Sequence, residues 1–417
     1  MNDGFTLAQF GTFDVENYGD ILYPIVFQKM FEQRGVATQI ARYSLKGSDN
    51  LQNSGYKTEP VQALFSSRKL PSTMLIGGGD LLRTDWDVVA SHYRPMTLPA
   101  ERKTLLRKLR RFFAKVSKRL LNPDGKFRRR YMNYPGAGPF IIRPDLENAV
   151  AYCSCGVPFA FNENVEAEVA TAFDEARFIY VRDHASKDSL IQAGVTKEIH
   201  AAPDLIVTLS DFFDAASERE KGRTLLQSRG VDARRHILVF ESNPQPIKKT
   251  DELIHQLKAY QTRIGNEVIL LPIGFCHGDR EYLKRVSSKL GEGFKYVELD
   301  SIFDIISVLA AADLFLGTSL HGNVTAFSFG IPHLFGPIPV RKREGFLDIA
   351  NLPRDLKLDS WEEMNSKLDQ VAKLGGEFFQ ERATTAKRRV HEVVDELFEA
   401  VTAQQAPVRV EAQLACD

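Results

Sequence analysis

Short apolar runs alternate with longer amphipathic segments along most of this 417-residue chain, and that alternation restricts the fold more than any other feature. Strand-length runs followed by helix-length patterns are typical of βαβ units, which build open, largely parallel sheets. In the first half, the predicted strands lie near 5–11, 37–43, 73–77, 149–155 and 177–181, and the predicted helices near 18–34, 163–173 and 184–192. In the second half, the predicted strands lie near 236–241, 267–273, 295–298, 313–318 and 332–335, and the predicted helices near 250–264, 279–289, 303–312 and 322–329. The pattern predicts an α/β protein with two Rossmann-like lobes.

The predicted N-terminal lobe spans residues 1–211, and the predicted C-terminal lobe spans 236–375. The charged, helix-favouring stretch 212–235 is interpreted as the linker between them. A final helical pattern within 376–404 is long enough to cross back onto the first lobe. Ligands of open parallel sheets bind beyond the carboxyl ends of the strands. We therefore expect the functional site in the cleft between the lobes.

Charge is distributed unevenly along the chain, although 54 basic residues balance 54 acidic ones overall. Residues 101–130 hold thirteen Lys or Arg against two acids. Apolar residues recur at helical spacing over 101–121, which predicts a basic amphipathic helix within an insertion at 101–131. One interpretation is an ordinary solvated face. The other is a dock for an anionic membrane surface or a lipid-linked glycan. Nucleic acid would also be attracted, but no nucleic-acid-binding motif accompanies the patch, so none is expected as a partner.

The turn at His321 and Gly322 follows a predicted strand at 313–318 and opens a predicted helix. Free backbone N–H groups and the helix dipole attract an anion to such a position. A histidine beside them can bind the same anion or transfer a proton. The pattern indicates a phosphate or carboxylate site, while the structural alternative is a histidine that only caps the turn.

This turn is one of several short motifs that follow one another along the chain. They are Asn17-Tyr18-Gly19-Asp20, Leu75-Ile76-Gly77-Gly78-Gly79-Asp80, Arg182-Asp183 with Ser186, Pro203-Asp204, Ser319-Leu320-His321-Gly322, Gly330-Ile331-Pro332, and Lys342 with Phe346. Each motif is weak by itself, but together, over residues 11–350, they resemble the polysaccharide pyruvyl transferase family.

The resemblance implies a GT-B-like fold with the acceptor on the N-terminal lobe and the donor on the C-terminal lobe. It also implies transfer of a pyruvyl group from phosphoenolpyruvate to a sugar, ending in a cyclic ketal. Phosphoenolpyruvate would be the donor substrate and the glycan, free or lipid-linked, the acceptor, so no cofactor and no metal are expected. The roles implied for individual residues are His321 and Asp20 as catalytic groups, Arg182, Ser319, Gly322 and Lys342 in donor binding, and Asn17, Gly79 and Asp80 in acceptor binding.

Several of these residues also have a purely structural interpretation. Arg182 and Asp183 can form a local ion pair, and Asp20 can simply cap the helix that follows it. Asp204 after a proline is typical of a turn. The glycines at 77–79 lack the spacing of a dinucleotide fold and favour a tight turn. No metal-ligand spacing links the residues Cys153, Cys155, Cys276, Cys416, His184, His277 and His333.

Two rival classes of function stay open at this point. A sugar-nucleotide glycosyltransferase would use the same two-lobed cleft, and a non-catalytic glycan- or membrane-binding protein would keep the scaffold alone. No secretory leader pattern opens the chain, and no apolar segment approaches the ~20 residues that span a bilayer. We therefore expect a cytoplasmic protein, with the basic segment as a means of binding the inner face of the membrane.

Overall fold

The computed structural model describes residues 7–35, 40–49, 54–65, 71–82, 136–138, 140–142, 149–157, 161, 163–338 and 341–402. The strands within these ranges are β1 Leu7–Phe10, β2 Ala41–Ser44, β3 Ser48–Asp49, β4 Lys57–Pro60, β5 Thr73–Gly77, β6 Gly136–Gly138, β7 Ile141–Ile142, β8 Ala149–Cys155, β9 Phe178–Val181, β10 His200–Ala201, β11 Ile237–Glu241, β12 Glu267–Leu270, β13 Phe294–Tyr296, β14 Leu314–Gly317 and β15 His333–Phe335. Every strand predicted from the sequence has a counterpart among them.

The first lobe is built on a sheet with the strand order β10-β9-β8-β5-β1-β2-β4-β3. Its neighbouring strands are parallel except for the short β3–β4 pair. The central strands β1 and β5 are buried along their whole length, because helices and loops cover both faces of such a sheet. The chain winds outward from β1 through β2 and then returns to the other side of β1 with β5. This reversal opens a crevice at the carboxyl ends of β1 and β5.

The second lobe repeats the arrangement with the strand order β13-β12-β11-β14-β15, and all of its strand pairs are parallel. Here the reversal falls between β11 and β14, where Glu241 pairs in register with Gly317. The small hairpin of β6 and β7 is antiparallel and stands apart from both sheets. The second lobe therefore also opens a crevice at the carboxyl ends of its strands.

Helices surround the two sheets. Within the described ranges they are Tyr18–Gln33, Val61–Phe65, Glu163–Asp174, His184–Gln192, Leu209–Phe212, Ala215–Ser228, Ile247–Ile264, Asp279–Ser287, Ile302–Ala310, Leu320–Ser328, Arg341–Ile349 and Met364–Thr402. Helix Ile247–Ile264 shows how the sequence sets them: its buried residues recur at helical spacing, and it ends at Gly265 with φ of 70°. The α/β class with two parallel-sheet lobes is confirmed.

The stretch between the lobes contains helix Ala215–Ser228, which packs closely against helix Ile302–Ala310. A side chain at Gly222 would lie 1.9 Å from the carbonyl oxygen of Ser307, so only glycine permits this approach. The long terminal helix Met364–Thr402 bends at Gly375, where φ is 73°. Arg389 on that helix donates to the carbonyl oxygens of Ile349 and Ala201, at 2.9 and 3.4 Å. The terminal helix thus contacts both lobes, while the exact domain boundaries stay a prediction.

Direct contacts also join the lobes near the cleft. The backbone N–H of Tyr18 donates to the carbonyl oxygen of Ile273 at 3.1 Å, and the N–H of Cys276 donates to Glu16 at 3.1 Å. The Tyr18 and Thr325 hydroxyls lie 3.0 Å apart in a buried contact. These bonds fix the first turn of helix Tyr18–Gln33 against the second lobe.

The predicted insertion at 101–131, with its basic helix, lies outside the described residues. Among the helices that the structure describes, none combines the length and the apolar character needed to cross a membrane.

Candidate active site

A cavity of about 410 Å³ lies between the carboxyl ends of the two sheets. From the first lobe it is lined by Thr12, Val15, Asn17, Asp20, Leu45, Gly79, Asp80, Leu81 and Arg182. From the second lobe it is lined by Glu241, Asn243, Gly274, His277, Thr318, Ser319, Leu320, His321, Ile338 and Lys342. The structure therefore brings eight of the nine predicted site residues to one cavity.

The exception is Gly322. Its backbone N–H donates to the Ser319 hydroxyl at 3.3 Å, in the cap of helix Leu320–Ser328. A side chain at Gly322 would meet the ring of Phe315 at 2.7 Å, behind the cavity wall. Its predicted part in donor binding would have to act through the turn that it belongs to.

Arg182 follows the last residue of β9 and forms the centre of an ion-pair network. Its side chain is only 3% exposed. Nη2 donates to Asp80 Oδ1, and Nη1 donates to Asp204 Oδ2 at 3.3 Å. The other Asp80 oxygen lies 3.9 Å from Lys342 Nζ. Residues that are far apart in sequence thus form one network of charges at the cavity.

These charges hold one another in the ionised state. Burial raises the pKa of Asp80, but the nearby Arg182 and Lys342 outweigh it, so the pKa lies below its usual value. Burial likewise disfavours the charged form of Arg182, yet Asp80 and Asp204 hold its pKa above the ordinary range. The network has fixed charges at neutral pH.

Asp183 adds its charge to the surroundings of Arg182, but its hydrogen bond is to the following helix. It is the N-cap of helix His184–Gln192, where its carboxylate accepts from Ser186 N at 2.7 Å. The Ser186 hydroxyl in turn accepts from Val157 N at 2.8 Å. The residues of this motif therefore have two roles. Arg182 lines the cavity, while Asp183 and Ser186 fix the start of the helix behind it.

His321 is the second residue of helix Leu320–Ser328, which begins two residues earlier than the predicted helix at 322–329. Its Nε2 lies 3.6 Å from Asp204 Oδ2, and its side chain is 12% exposed. Gly19 of the other lobe lies against the opposite ring nitrogen, because a side chain there would fall 1.8 Å from Nδ1. The imidazole is thus held between a carboxylate and a glycine.

Asp204 was expected to be a turn residue, and it fills that role as well as a second one. It caps a short 3-10 helix by accepting from Ile206 N at 3.0 Å. Burial raises its pKa, but the contacts with His321 and Arg182 outweigh burial and lower the pKa to about 2. Asp204 is therefore an ionised carboxylate beside the His321 imidazole.

Asp20 is not the cap of its helix. The N-cap of helix Tyr18–Gln33 is Asn17, and Asp20 lies in the first turn. The Asn17 amide donates to Asp20 Oδ2 at 2.6 Å. Gly79, with φ of 75°, lies beside the other Asp20 oxygen, which a side chain there would approach to 3.0 Å. These two segments, from the ends of β1 and β5, form the polar rim of the first lobe.

Glu241 is a cavity residue that sequence reasoning missed. It ends β11 and is only 1% exposed. Its Oε2 accepts from Ser319 N at 2.7 Å, and the Thr318 hydroxyl lies 3.3 Å from both carboxylate oxygens. Burial, followed by the charge of Asp279, raises the pKa of Glu241 to about 8. Its signal in the sequence is a carboxylate at a strand end, which only the strand order places beside the histidine turn.

Two of the cysteines and one of the histidines named from the sequence are buried, and Cys416 lies outside the described residues. Cys153 and Cys155 are buried, and burial raises the pKa of the Cys153 thiol to about 12. His333 is buried in an aromatic cluster, and burial lowers its pKa to about 4. His277, by contrast, lies on the cavity wall.

Several solved structures share this two-lobed architecture. The chain is similar to a glycosyltransferase from Rickettsia africae ESF-5, with 12% identity and a TM-score of 0.53 over 97% of this chain and 100% of that one. It is similar to S. aureus MnaA, solved with UDP, with 10% identity and a TM-score of 0.55 over 95% of this chain and 97% of that one. It also resembles Anabaena HepE, solved with UDP and glucose, with 14% identity and a TM-score of 0.51 over 96% of this chain and 100% of that one. At these identities the likeness shows the fold, which is GT-B-like as predicted.

The family model for polysaccharide pyruvyl transferase matches residues 17–335. The chain belongs to this family and is a transferase. A search of curated proteins finds no match.

Proposed function

We propose that this protein transfers the pyruvyl group of phosphoenolpyruvate to a sugar of a cell-surface or exopolysaccharide precursor, as a ketal bridging two hydroxyls. The observation that carries the proposal is the cluster of His321, Arg182, Asp80 and Lys342 on the wall of the interlobe cavity. Asp204 lies behind them, in contact with Arg182 and His321. The cluster combines a proton donor with cationic groups, and phosphoenolpyruvate requires both.

The reaction makes specific demands on the site. The methylene of the donor must gain a proton, which develops positive charge at the neighbouring carbon, and a sugar hydroxyl then attacks that carbon. A second hydroxyl closes the ring and phosphate leaves. A general acid contributes to the first step, and fixed positive charge stabilises the carboxylate and phosphate throughout. The transfer needs no cofactor, because phosphoenolpyruvate itself carries the activated group.

His321 is the proposed general acid. The Asp204 carboxylate lies 3.6 Å from its Nε2 and orients the imidazole, and the N-terminus of helix Leu320–Ser328 provides donors for a phosphate in the same place. Lys342, with a side chain 35% exposed, is the cation most open to an incoming donor. Arg182 contributes positive charge from below while it holds Asp80 and Asp204 in place.

The polar rim of the first lobe is the proposed acceptor side. Asn17 and Asp20 form one hydrogen-bonded pair there, with Gly79 beside it. Carboxylates and amides at this spacing suit the hydroxyls of a sugar. Asp80 follows Gly79 in the chain and lies beside Arg182 and Lys342, so it links the rim to the cations.

The direct test is incubation with phosphoenolpyruvate and a panel of glycan acceptors, followed by mass spectrometry. We expect the acceptor to gain one pyruvyl ketal and inorganic phosphate to appear in equal amount. The same incubation with nucleotide sugars in place of phosphoenolpyruvate is the control. Sugar transfer in the control, without ketal formation, would contradict the proposal.

Donor binding is tested best at Lys342. Replacing Arg182 would break buried ion pairs, at a cost of about 3–5 kcal/mol, and would confuse binding with folding. Lys342→Met should weaken phosphoenolpyruvate binding in calorimetry and leave acceptor affinity unchanged. Lys357→Met is the matched control, since Lys357 is a partly buried lysine paired with Glu344 at 2.7 Å and away from the cavity lining. Equal effects of the two variants would contradict the assignment.

A second candidate function is transfer from a sugar nucleotide. Two of the similar structures were solved with UDP, and a two-lobed cleft can hold such a donor. Thermal unfolding with each donor separates the two functions, because a ligand that binds the native state raises its stability. Protection by a nucleotide sugar and not by phosphoenolpyruvate would favour this second function. Protection by acceptor glycan alone would indicate a binding protein without activity.

The proposed acceptor is either a free glycan or a lipid-linked saccharide. The basic segment at 101–130 suits an anionic membrane surface, which would place the protein at the cytoplasmic face of the membrane.

A further inference from the structure

We propose that Glu241 is the general base that takes the proton from the attacking sugar hydroxyl. This inference rests on the proposed pyruvyl transfer and names the group that completes its acid–base pair. The acceptor sugar would then lie against the second-lobe wall of the cavity, between Glu241 and the rim formed by Asn17 and Asp20.

Geometry places Glu241 next to the proposed acid. It ends β11, and the neighbouring β14 leads directly into the turn that carries His321. The Ser319 N–H holds one carboxylate oxygen, Oε2, at 2.7 Å. The Glu241 side chain is thus fixed on the cavity wall, against the turn that carries His321.

The other carboxylates of the cavity are less suited to this role. Asp80 and Asp204 are ion-paired with Arg182, and the pKa of each lies below its usual value, so they are weak bases. Asp20 is half-buried and accepts from Asn17. A proton acceptor is most effective when its pKa lies near the working pH. Glu241 meets this condition because its pKa is raised to about 8 by burial and by Asp279.

The groups that face Glu241 come from several elements. Asp279 begins helix Asp279–Ser287, and its carboxylate accepts from Ile273 N and Gly274 N, the former at 2.8 Å. Around the cavity lie further titratable groups, His277, His321, Asp20 and Lys342. Asp279 is the charge that raises the pKa of Glu241, so it offers a way to move that pKa without touching the cavity.

The proposed step is balanced in protons and electrons. The hydroxyl oxygen forms a bond to the central carbon of phosphoenolpyruvate, and its proton passes to Glu241. The carbon–carbon double bond gives its electron pair to the methylene, which takes a proton from His321. The second hydroxyl then forms the other ketal bond while the carbon–oxygen bond to phosphate breaks, and that hydroxyl's proton leaves with the phosphate. One proton returned from Glu241 to His321 resets the site.

The test compares Glu241→Gln with the wild type in single-turnover experiments with phosphoenolpyruvate and acceptor. Glutamine keeps an oxygen that can accept from Ser319 N, so the turn is retained while the proton acceptor is lost. We expect the rate to fall by about 10²-fold or more, with donor and acceptor affinities unchanged. A rate close to that of wild type would overturn the inference and reduce Glu241 to a structural role.

The pH profile of the wild type gives a second measurement, which does not depend on the folding of Glu241→Gln. A base acts in its ionised form, so the wild-type rate should rise with pH through about 8. Asp279→Asn keeps an oxygen for the two backbone N–H groups but removes the charge, so the rise should move to lower pH. A profile with no rise near pH 8, or a rise unmoved by Asp279→Asn, would overturn the inference. Absence of ketal product in the wild type would overturn the proposed function itself, and this inference with it.

Discussion

The two walls of the cavity use charge in different ways. On the first-lobe wall, Arg182 is flanked by Asp80 and Asp204, and each group keeps its partners ionised. On the second-lobe wall, Glu241 is buried, and burial and the charge of Asp279 raise its pKa to about 8. The first wall therefore carries fixed charges that position Arg182 and His321. The second wall is suited to exchanging protons.

The largest expected effect is at His321, the residue through which the two walls meet. His321→Ala should lower turnover by about 10³-fold, within the range for loss of a general acid. The fold should survive, because His321 lies on a helix start that Ser319 caps without it. Turnover and thermal unfolding of the same preparation check this.

The matched control is His184→Ala, which removes an exposed imidazole at another helix start. It should keep wild-type turnover. If His321→Ala also keeps most of its activity, another group must donate the proton. The roles assigned here to the two walls would then be wrong.

The next effect should arise at Gly19, which has no functional group of its own. A methyl group there would fall 1.8 Å from His321 Nδ1, so the imidazole must move away. A displacement of about 1 Å can lower turnover about 10²-fold. Gly19→Ala should therefore reduce turnover strongly while folding is little affected, since alanine favours a helix by about 0.5–1 kcal/mol over glycine.

Gly291→Ala provides the control, because nothing lies within 4 Å of the position of its added methyl group. Kinetic assays of both variants beside thermal unfolding separate geometry from stability. Normal turnover in Gly19→Ala would show that the imidazole has another productive position.

A smaller and pH-dependent effect is expected at Asp204 on the first wall. Its pKa is about 2 in the folded protein and about 3.9 in an unfolded chain. Because the folded value is the lower one, the carboxylate stabilises the fold fully above about pH 4 and loses this effect as the pH falls towards 2. The stabilisation is about 2–3 kcal/mol at neutral pH, from 1.36 kcal/mol for each pKa unit.

Urea unfolding of wild type and Asp204→Asn across this pH range checks the sign. The difference in unfolding free energy should be largest near neutrality and should shrink below about pH 4. A difference that grows on acidification would mean that Asp204 is protonated in the native state, and the fixed-charge description of the first wall would be wrong.

The fold was accessible from the sequence because alternation is a local signal. Both predicted sets of parallel strands are present, and the segment Asn17 to Asp20 begins a helix after a strand as expected. The site was only partly accessible. His321 and Arg182 were found from local motifs, whereas Glu241 and His277 enter the cavity through strand order and loop packing. Neither strand order nor loop packing can be predicted from a local sequence pattern.

Asp204 shows a second limit of local reading. Its turn role is visible in sequence, since it follows a proline and caps the next residues. Its contacts with Arg182 and His321 join residues 22 and 117 positions away, and no spacing rule connects them. One carboxylate fills both roles, so the structural interpretation was correct for the turn and incomplete for the site.

The smallest expected effect on the chemical step concerns the basic segment at 101–130, which lies outside the described residues. If it binds a membrane, the protein should sediment with vesicles that contain anionic lipid, since each basic side chain near the surface contributes about 1 kcal/mol. Binding should weaken steeply as added salt shortens the Debye length below ~8 Å. Reversing the charge of Arg107, Arg110 and Arg111 to Glu should then reduce vesicle binding and activity on a lipid-linked acceptor. Turnover of a short soluble sugar should stay unchanged, because both walls of the cavity are intact.

Vesicle binding equal to wild type would show that the segment is only a solvated face. Loss of activity on the soluble sugar as well would instead assign the segment to the acceptor cleft, and its positive charge would then indicate an acidic glycan.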